Sequence, residues 1–408
     1  MRDACDVAVV GAGPGGSAAA YYLATRGLGV LLLDRADFPR DKTCGDGLTP
    51  RAVGVLEDMG LLSDLSRAGR EINGVEIHAP DGFAIGTALP RRPGGGAPML
   101  VVPRLVLDDI VRERAVRAGA RFQSGVLVTG IDRARSGVVI RGHKGGCALD
   151  IRARMAVVAT GAAVPLLVRL GVLRRTPRMM LAARAYFEGI RDLGDRIQIR
   201  FDHVPLPGYG WVFPFSSAGA NIGAGFFPPA RSTTRPRLNP KAVFDRFVGG
   251  RTLRGLVDGG RRIGPIKGYP LRVDFPGAPA SGEGVLLVGE AAGLVNPLTG
   301  EGIDYALESA QIAADYAGRM LLSGGGRGDG EHAEYERLLR ARFERLFAFC
   351  RRLRDATAHA LLLNRMARIA SRRDDLKMLL VDIVLGTREI PRHLSARTVL
   401  RKVYSLVR

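Results

Sequence analysis

Short apolar runs separated by glycine-rich turns open the chain. Residues 6–10 (DVAVV) and 30–33 (VLLL) are almost continuously apolar, as expected for strands buried on both faces of a parallel sheet. Between them, residues 17–26 follow a helical pattern, and Gly27 stands where a helix C-cap is expected. Strand, helix and strand within about 30 residues form a βαβ unit, which predicts an α/β fold.

The rest of the chain divides into strand-rich and helix-rich stretches. Helical periodicity predicts three helices, at residues 51–59, 105–118 and 302–322. Apolar runs predict a strand meander over 126–154, followed by buried strands at 155–158 and 285–288. Frequent Pro and Gly between short strands predict an antiparallel sheet over 178–275. A glycine-rich linker is predicted at 324–330, and helices are predicted beyond it.

Composition narrows the class of protein. With 46% hydrophobic and 25% charged residues over 408 positions, the chain can build a large core, which excludes wholesale disorder. No stretch approaches the ~18 uninterrupted apolar residues of a membrane-spanning helix. The first residues show no basic segment and small-residue cleavage site, so we expect a cytoplasmic protein. The four cysteines and six histidines show no metal-ligand spacing, so no metal site is expected.

The turn after the first strand carries a dinucleotide-binding pattern. Residues 11–16 (GAGPGG) fit G-x-G-x-x-G between a strand and a helix. Gly11 permits a tight turn, Gly13 lets a pyrophosphate approach the helix N-terminus, and Gly16 allows the helix to pack closely on the strand. Asp34 ends the second strand, where a carboxylate can bind ribose hydroxyl groups. The pattern alone leaves FAD and NAD open.

Three further parts of the sequence carry a resemblance. They are residues 38–50 (FPRDKTCGDGLTP), residues 207–214 (PGYGWVFP), and residues 289–303, which contain GEAAG and NPLTGEGI. With the glycine motif, they resemble the geranylgeranyl reductase family of flavoproteins, a branch of the fold shared with para-hydroxybenzoate hydroxylase. The first looks like the family's loop beside the flavin, the second like its substrate-cavity strand, and the third like its second FAD signature. The resemblance extends over residues 1 to about 330.

The resemblance implies FAD as the cofactor. It implies an FAD-dependent reductase that saturates C=C bonds of an isoprenoid chain, such as a geranylgeranyl or polyprenyl diphosphate, a lipid or a menaquinone side chain. Glu290 stands where the family has Asp, so its ribose contact is expected to be shifted or bridged by water. Arg35 and Arg104 each have the alternative of an arginine exposed to solvent. The predicted cofactor contacts are Gly11, Gly13, Pro14, Gly15, Gly16, Asp34, Arg35, Cys44, Gly45, Arg104, Val128, Gly161, Gly289, Glu290, Gly300, Gly302 and Ile303.

Reduction of an isolated double bond needs a proton donor as well as the hydride that reduced FAD supplies. Three titratable side chains in the predicted cavity loops are candidates for catalysis: Cys44, Asp46 and Tyr209. The alternative for Cys44 is a small packing residue, and for Asp46 an Asx-turn residue. Tyr209, Trp211 and Phe213 are predicted to contact the substrate, and an ordinary sheet core is the alternative for the last two.

The electron donor stays open at this point. Hydroxylase relatives often carry an Asp-Gly pair tied to NAD(P)H use in the region after Gly161, whereas this chain continues Ala162-Ala163-Val164. The candidates are therefore NAD(P)H and a separate reductase or ferredoxin. The main alternative function is an FAD-dependent monooxygenase or halogenase acting on a small aromatic compound. A dehydrogenase coupled to an electron-transfer flavoprotein and an FAD-binding protein without activity are the others.

The predicted architecture is α/β (α+β), with three parts. A discontinuous Rossmann-type FAD-binding domain is predicted to comprise residues 1–75, 100–175 and 276–330. An antiparallel-sheet substrate domain is predicted to comprise 76–99 and 176–275, followed by a helical C-terminal region, 331–408.

The C-terminal region is basic. The net charge of the chain is +20, and residues 331–408 hold 18 basic against 9 acidic residues. Two interpretations compete: the helices cap the substrate cavity and rest on an anionic membrane at its inner face, or they present solvated basic faces. Nucleic acid binding is not expected, because the sequence shows no groove-reading motif.

Overall fold

The computed structural model describes residues 4–92, 96–228, 238–323, 331–356 and 358–386. In chain order, the strands are β1 (Ala4–Val10), β2 (Val30–Leu33), β3 (Gly47–Leu48), β4 (Arg70–Ile72), β5 (Gly74–His78), β6 (Ala84–Ala88), β7 (Met99–Val101), β8 (Arg121–Gln123), β9 (Val126–Ala134), β10 (Gly137–Lys144), β11 (Cys147–Val158), β12 (Met180–Glu188), β13 (Arg196–Arg200), β14 (Gly208–Pro214), β15 (Ala220–Phe226), β16 (Arg261–Leu271), β17 (Ser281–Gly282) and β18 (Val285–Leu287). The α-helices are α1 (Pro14–Ala24), α2 (Pro50–Asp58), α3 (Leu62–Ala68), α4 (Arg104–Arg117), α5 (Val164–Arg169), α6 (Pro240–Val248), α7 (Arg251–Val257), α8 (Ile303–Leu322), α9 (Glu331–Ala356), α10 (Ala360–Ala370) and α11 (Asp374–Leu385).

The first sheet is centred on the βαβ unit that the sequence predicts. Its strand order is β17-β18-β11-β1-β2-β8, and β1 pairs in parallel with both β2 and β11. The last four residues of β1 and all of β2 are buried, because α1, α8 and other helices cover the sheet. All of α1 from Pro14 to Leu23 is buried, which explains its small residues. The predicted α/β fold is confirmed.

One strand differs from its prediction. The sequence pattern suggests a meander that ends at 154 and a separate strand at 155–158, but β11 runs without a break from Cys147 to Val158. Its first half pairs antiparallel with β10, and its second half pairs in parallel with β1 and β18. Burial alternates in the first half and becomes continuous from Met155 on. The change in pattern therefore marks where the second face of the strand becomes covered, not where the strand ends.

The second sheet has the order β16-β12-β15-β14-β13-β5-β6, and a small third sheet has the order β3-β7-β4. The second sheet is antiparallel as predicted, except that β13 pairs in parallel with β5. Helices α6 and α7 lie within the stretch that is predicted to be rich in strands, and the sequence analysis does not predict them. Asn239 caps α6 by accepting a hydrogen bond of 2.9 Å from the Lys241 amide, and Phe244 and Phe247 bury one helix face on the sheet.

The C-terminal helices pack on both sheets. Tyr335, Phe343 and Phe347 of α9 are buried in the core of the first sheet. Val381 and Leu385 of α11 join the core of the second sheet. Within the described residues, no helix is long and apolar enough to cross a membrane. The predicted linker at 324–330 and the end of the chain from 387 lie outside the described residues, and the predicted domain limits stay a prediction.

Candidate active site

A cavity of about 810 Å³ lies at the carboxyl ends of β1, β2 and β11. Open α/β sheets bind their ligands at this edge, outside the carboxyl ends of the parallel strands. The cavity is lined by every residue that the sequence predicts to contact cofactor, substrate or the reacting bond, apart from Gly16. The structure thus brings together side chains that are up to about 290 positions apart in the chain. Their individual roles stay a prediction.

The glycine turn forms a cradle at the start of α1. Gly11 has a φ of +103°, and a Cβ on Gly16 would lie 1.7 Å from the Gly11 carbonyl oxygen, so both positions need glycine. Gly16 lies behind the turn and outside the cavity lining, as its predicted packing role requires. Gly13 is the N-cap of α1, and a Cβ there would lie 3.5 Å from the Arg40 guanidinium. Helix N-terminus and arginine together fit a pyrophosphate.

Asp34 lies at the end of β2 and lines the cavity. Its carboxylate accepts a hydrogen bond of 2.7 Å from the Ala12 amide and another of 2.9 Å from the Ala36 amide. Asp34 therefore fixes the glycine turn. The carboxylate lone pairs that do not accept these two hydrogen bonds remain available to a ribose. Arg35 is exposed at the cavity wall, so both a cofactor contact and an arginine in solvent are compatible with the structure.

Arg104 is buried, with 6% of its surface exposed, and its solvent alternative is wrong. Its guanidinium makes a two-point ion pair with Asp108, with N–O distances of 2.5 and 2.8 Å. Arg40, which the sequence reasoning missed, lies 3.1 Å from the same carboxylate. One carboxylate thus orients two guanidinium groups at the cavity wall beside Gly13. A pair of oriented arginines fits the pyrophosphate of FAD.

The second predicted signature begins beside the N-terminus of α1, where a Cβ on Gly15 would lie 3.1 Å from the Val288 side chain. Gly289 has a φ of +62°, and Glu290 accepts a hydrogen bond of 3.1 Å from the Arg272 amide. Burial raises the pKa of Glu290, which lies near Lys42 and Gly161. Arg272 itself is buried against Asp274 and was not anticipated from the sequence. The one-methylene longer Glu290 is thus held in place by backbone rather than left free.

Cys44 and Asp46 share one loop before β3. Burial raises the pKa of the Cys44 thiol, although nearby Arg104 opposes this, and the thiol stays protonated at neutral pH. Burial also raises the pKa of Asp46 to about 6, although hydrogen bonds of 2.7 Å from Tyr186 and Asn221 stabilise its carboxylate. Both hydrogen bonds reach one oxygen, Oδ2. Asp46 has a φ of +68°, so the loop holds it in a left-handed conformation.

Two buried oxygens at the cavity have no hydrogen-bond partner within the described residues. They are Oδ1 of Asp46 and Oγ1 of Thr160, and both residues line the cavity. Buried polar atoms are normally paired, so a ligand with polar groups is expected beside them. The cradle at Gly13, the oriented arginines and these two oxygens all fit FAD, which has a pyrophosphate, ribose hydroxyl groups and a polar flavin edge.

A second, narrower cavity of about 180 Å³ adjoins the first. Its walls come from β5, β13, β14 and the C-terminal helices, and almost all of its lining side chains are aliphatic or aromatic. Three residues line both cavities: Tyr209, Phe213 and Glu301. Trp211 lines only the large one, where its indole donates a hydrogen bond of 3.0 Å to Asn221. Glu301 was not singled out from the sequence, although it lies within the NPLTGEGI segment.

The aromatic side chains of β14 both line the large cavity and pack in a sheet core, and their contact with substrate stays a prediction. Phe213 and Trp211 are buried in the core of the second sheet. They also press on the Cys44 loop, since a Cβ on Gly45 would lie 3.0 Å from the Phe213 ring and 3.4 Å from the Trp211 nitrogen. Cavity wall and sheet core are therefore the same surface here. Tyr209 differs, because its hydroxyl donates a hydrogen bond to the Thr299 carbonyl oxygen.

Comparisons with known proteins agree with this geometry. The sequence profile of the FAD binding domain family matches residues 4–186. The chain is 36% identical to a menaquinone reductase from Mycolicibacterium smegmatis over 86% of this chain and 84% of that one. It is 33% identical to a digeranylgeranylglycerophospholipid reductase from Methanopyrus kandleri over 76% of this chain and 80% of that one. A geranylgeranyl bacteriochlorophyll reductase-like protein from Thermoplasma acidophilum has the same fold, with a TM-score of 0.82 at 23% identity over 99% of this chain and all of that one.

Fold and site together define an FAD-dependent oxidoreductase. Within that class, the relatives that are 36% and 33% identical over most of the chain identify the family. The chain belongs to the geranylgeranyl reductase family, which confirms the family resemblance and the predicted cofactor.

Proposed function

We propose that the protein saturates C=C bonds of an isoprenoid chain, with the menaquinone side chain as the first candidate substrate. One observation carries the proposal: a cavity that fits FAD adjoins a narrow, almost wholly apolar cavity, and Tyr209, Phe213 and Glu301 form the boundary between them. The family supports the same chemistry, because two relatives of this chain are named for reducing menaquinone and a digeranylgeranyl lipid.

The apolar cavity suits a hydrocarbon chain better than a small aromatic compound with polar groups. Its walls combine sheet residues such as Ile77 and Ile199 with helix residues such as Leu376 and Leu380. Burying an aliphatic chain there gains about 25 cal/mol for each Å² removed from water. A hydroxylase or halogenase substrate would leave its polar groups unpaired against these walls. The cavity therefore favours the reductase over the monooxygenase or halogenase alternative.

The chain's own residues hold the cofactor and exclude water. Gly13, Arg40 and Arg104 would bind the pyrophosphate, and Asp34 and Glu290 the ribose or ribityl hydroxyl groups. When bound and reduced, FAD supplies the hydride. Phe213 and Tyr209 would hold the double bond at the boundary of the two cavities.

The three predicted catalytic side chains differ in what they offer. Cys44 presents a neutral thiol to the large cavity. Asp46 is protonated only below about pH 6. The proton of Tyr209 is engaged with the Thr299 carbonyl, and burial raises the pKa of its phenol well above the ordinary value. We propose that Cys44 and Asp46 shape the reaction centre beside the flavin and that Tyr209 positions the substrate.

Anaerobic incubation tests the function. Chemically reduced enzyme is mixed with menaquinone or a polyprenyl diphosphate, and the extract is analysed by mass spectrometry. The extract is first exposed to air, which returns any quinol to the quinone. A gain of two mass units that survives this step supports saturation of a side-chain double bond. A gain of sixteen mass units, seen only when oxygen is admitted with a small aromatic substrate, supports the monooxygenase alternative instead.

The electron donor in this proposal is NAD(P)H or a separate reductase or ferredoxin. Anaerobic mixing of the oxidised enzyme with NADPH or NADH separates the two. Bleaching of the flavin absorbance within seconds supports direct use of the nicotinamide. Absence of bleaching, with bleaching on addition of reduced ferredoxin, supports a protein donor.

We also propose that the C-terminal helices deliver the substrate from an anionic membrane surface. Leu363 and Met366 of α10 line the apolar cavity, while Leu361 on the same helix is 84% exposed. Exposed arginines precede and follow it in the chain, Arg352 on α9 and Arg365 on α10. An exposed leucine among basic side chains suits an anionic leaflet, where each Arg or Lys adds about 1 kcal/mol. Flotation with anionic but not neutral liposomes at low salt supports the proposal, and no flotation contradicts it.

A further inference from the structure

We propose that Glu301 is the acid that protonates the substrate double bond. The inference rests on the proposed reductase function and adds to it the identity of the proton donor. Glu301 lies at the boundary of the two cavities. Among the described residues that line the cavities, only Tyr209, Phe213 and Glu301 line both, and only Glu301 carries a carboxyl group. A double bond that spans the boundary between the flavin site and the chain cavity would lie beside that carboxyl group.

The segment that carries Glu301 is fixed by its own hydrogen bonds. The side-chain oxygen of Asn296 accepts hydrogen bonds from the amides of Leu298 and Thr299, at 2.9 and 3.3 Å. The Glu301 carbonyl accepts a hydrogen bond of 2.8 Å from the Asn296 amide. Helix α8 begins two residues later. The backbone therefore holds Glu301 in place, as an acid that must meet one bond of a flexible chain requires.

The carboxyl group itself is uncommitted. Within the described parts of the chain, the Glu301 side chain makes no hydrogen bond or ion pair. The rival donors differ in this respect, because the Tyr209 hydroxyl binds the Thr299 carbonyl and Asp46 Oδ2 accepts two hydrogen bonds. An acid that must release its proton into an apolar cavity is best left without competing partners.

Glu301 is only partly buried at the boundary of the cavities, and the loss of solvation there keeps this acid protonated at neutral pH. Loss of solvation, followed by repulsion from Asp304, raises the pKa of Glu301 to about 8. Besides Glu301, the titratable and charged side chains of the apolar cavity are Tyr209 on β14 and Arg354 on α9, and Asp304 follows on α8. Those of the large cavity, in addition to Tyr209, are Asp34, Arg35, Arg40, Asp41, Lys42, Cys44, Asp46, Arg104, Arg169, Tyr269 and Glu290. The pKa of Asp46 is about 6, so at pH 7 Glu301 holds its proton while Asp46 has mostly lost its own.

The O–H bond of Glu301 breaks, and its proton forms a new C–H bond with the less substituted carbon of the double bond. The tertiary carbon that is left would accept the hydride that bound FAD, in its anionic reduced form, supplies. The products are a saturated C–C bond, oxidised FAD and the Glu301 carboxylate, which regains a proton from solvent.

The test compares Glu301→Gln with Glu301→Asp. Glutamine keeps the size and removes the acid, so we expect the same FAD content and a turnover at least about 100-fold lower. Aspartate keeps the acid, so we expect partial activity. Glu283→Gln changes an exposed surface carboxylate that pairs with Arg133, and serves as the matched control with unchanged turnover. In the wild type, the rate is expected to fall tenfold per pH unit above about pH 8, because the acid is then deprotonated.

A second readout needs neither flavin nor turnover. The infrared C=O stretch of a protonated carboxylic acid in the apo-protein should disappear in Glu301→Gln and titrate near pH 8. Unchanged turnover in Glu301→Gln, or no such band at pH 7, overturns the proposal. If the wild type reduces no isoprenoid substrate, the proposed function fails instead. The infrared titration then still decides whether Glu301 is an acid held protonated.

Discussion

Replacing Asp46 by asparagine is expected to stabilise the protein at neutral pH. Asp46 is completely buried, and Oδ2 accepts both of its hydrogen bonds, from Tyr186 and Asn221. An asparagine oxygen can accept the same two hydrogen bonds, and asparagine tolerates the left-handed φ of +68° at least as well as aspartate. The substitution therefore removes a buried charge and keeps its partners.

The magnitude follows from the pKa of Asp46. Burial raises it from 3.8 to about 6 in the folded protein. Both states hold the proton below about pH 4, but between pH 4 and 6 only the folded state does, so the free energy of unfolding falls as pH rises. Each unit of pKa difference is worth about 1.4 kcal/mol, which gives about 3 kcal/mol above pH 6. The unfolding free energy of Asp46→Asn should not fall in this way, because asparagine does not ionise.

Urea unfolding of the apo-protein at pH 4, 5, 6, 7 and 8 provides the assay. Trp211 is the single tryptophan and contacts the network through Asn221, so its fluorescence reports the transition. The free energy of unfolding of Asp46→Asn minus that of wild type should rise by about 2.5 kcal/mol from pH 4 to 7, because the loss in wild type has already begun at pH 4. A difference that is flat, or that falls with pH, would refute the reasoning.

Asp202→Asn is the matched control with the opposite sign. Asp202 is also buried, and burial alone would raise its pKa, but hydrogen bonds from Arg200 and Thr252 outweigh burial and lower it. The Asp202 carboxylate therefore stabilises the folded protein at pH values above the pKa that Asp202 has in the unfolded chain, and this stabilisation is lost as the pH falls. The unfolding free energy of Asp202→Asn relative to wild type should accordingly decline as pH rises.

Three further predictions concern the cofactor and the reaction. Gly16→Ala should purify without flavin absorbance, because its Cβ would lie 1.7 Å from the Gly11 oxygen, whereas Gly54→Ala in α2, with open space around its Cβ, should keep FAD. Arg104→Met should weaken FAD binding about 10- to 100-fold in a fluorescence titration, since one charge-assisted contact is lost; a change below threefold would count against the pyrophosphate role. Cys44→Ala should keep FAD but lower saturation turnover, and unchanged turnover would remove Cys44 from the reaction.

Local patterns predict the cofactor half of the molecule well. The βαβ unit is encoded within residues 6–34, where strand, turn and helix are each set by neighbours in sequence. Asn239 followed by Pro240 is likewise a local helix-start signal, so α6 was within reach of the sequence but was outweighed by the strand-like composition around it.

The interactions that tune the site are not local. Asp46 is bound by Tyr186 and Asn221, which lie 140 and 175 positions further along the chain. Arg40 meets Asp108 only because the loop after β2 folds onto α4. Glu301 could be placed between two cavities only once α9, α10 and α11 were seen to line one of them. Periodicity carries no information about such contacts, because they depend on how whole elements pack.

The central claim is that reduced flavin in this protein passes its electrons to an isoprenoid double bond, and a single anaerobic turnover tests it most directly. The photoreduced enzyme, free of any other reductant, is mixed with excess menaquinone, and flavin absorbance is followed. The product mass is measured after the extract has been exposed to air, which returns any menaquinol to menaquinone and leaves a saturated side chain unchanged. We predict that the oxidised flavin spectrum returns and that one bond is saturated for each flavin oxidised. Return of the oxidised spectrum without a product two mass units heavier, or no return at all with any isoprenoid substrate, would contradict the account.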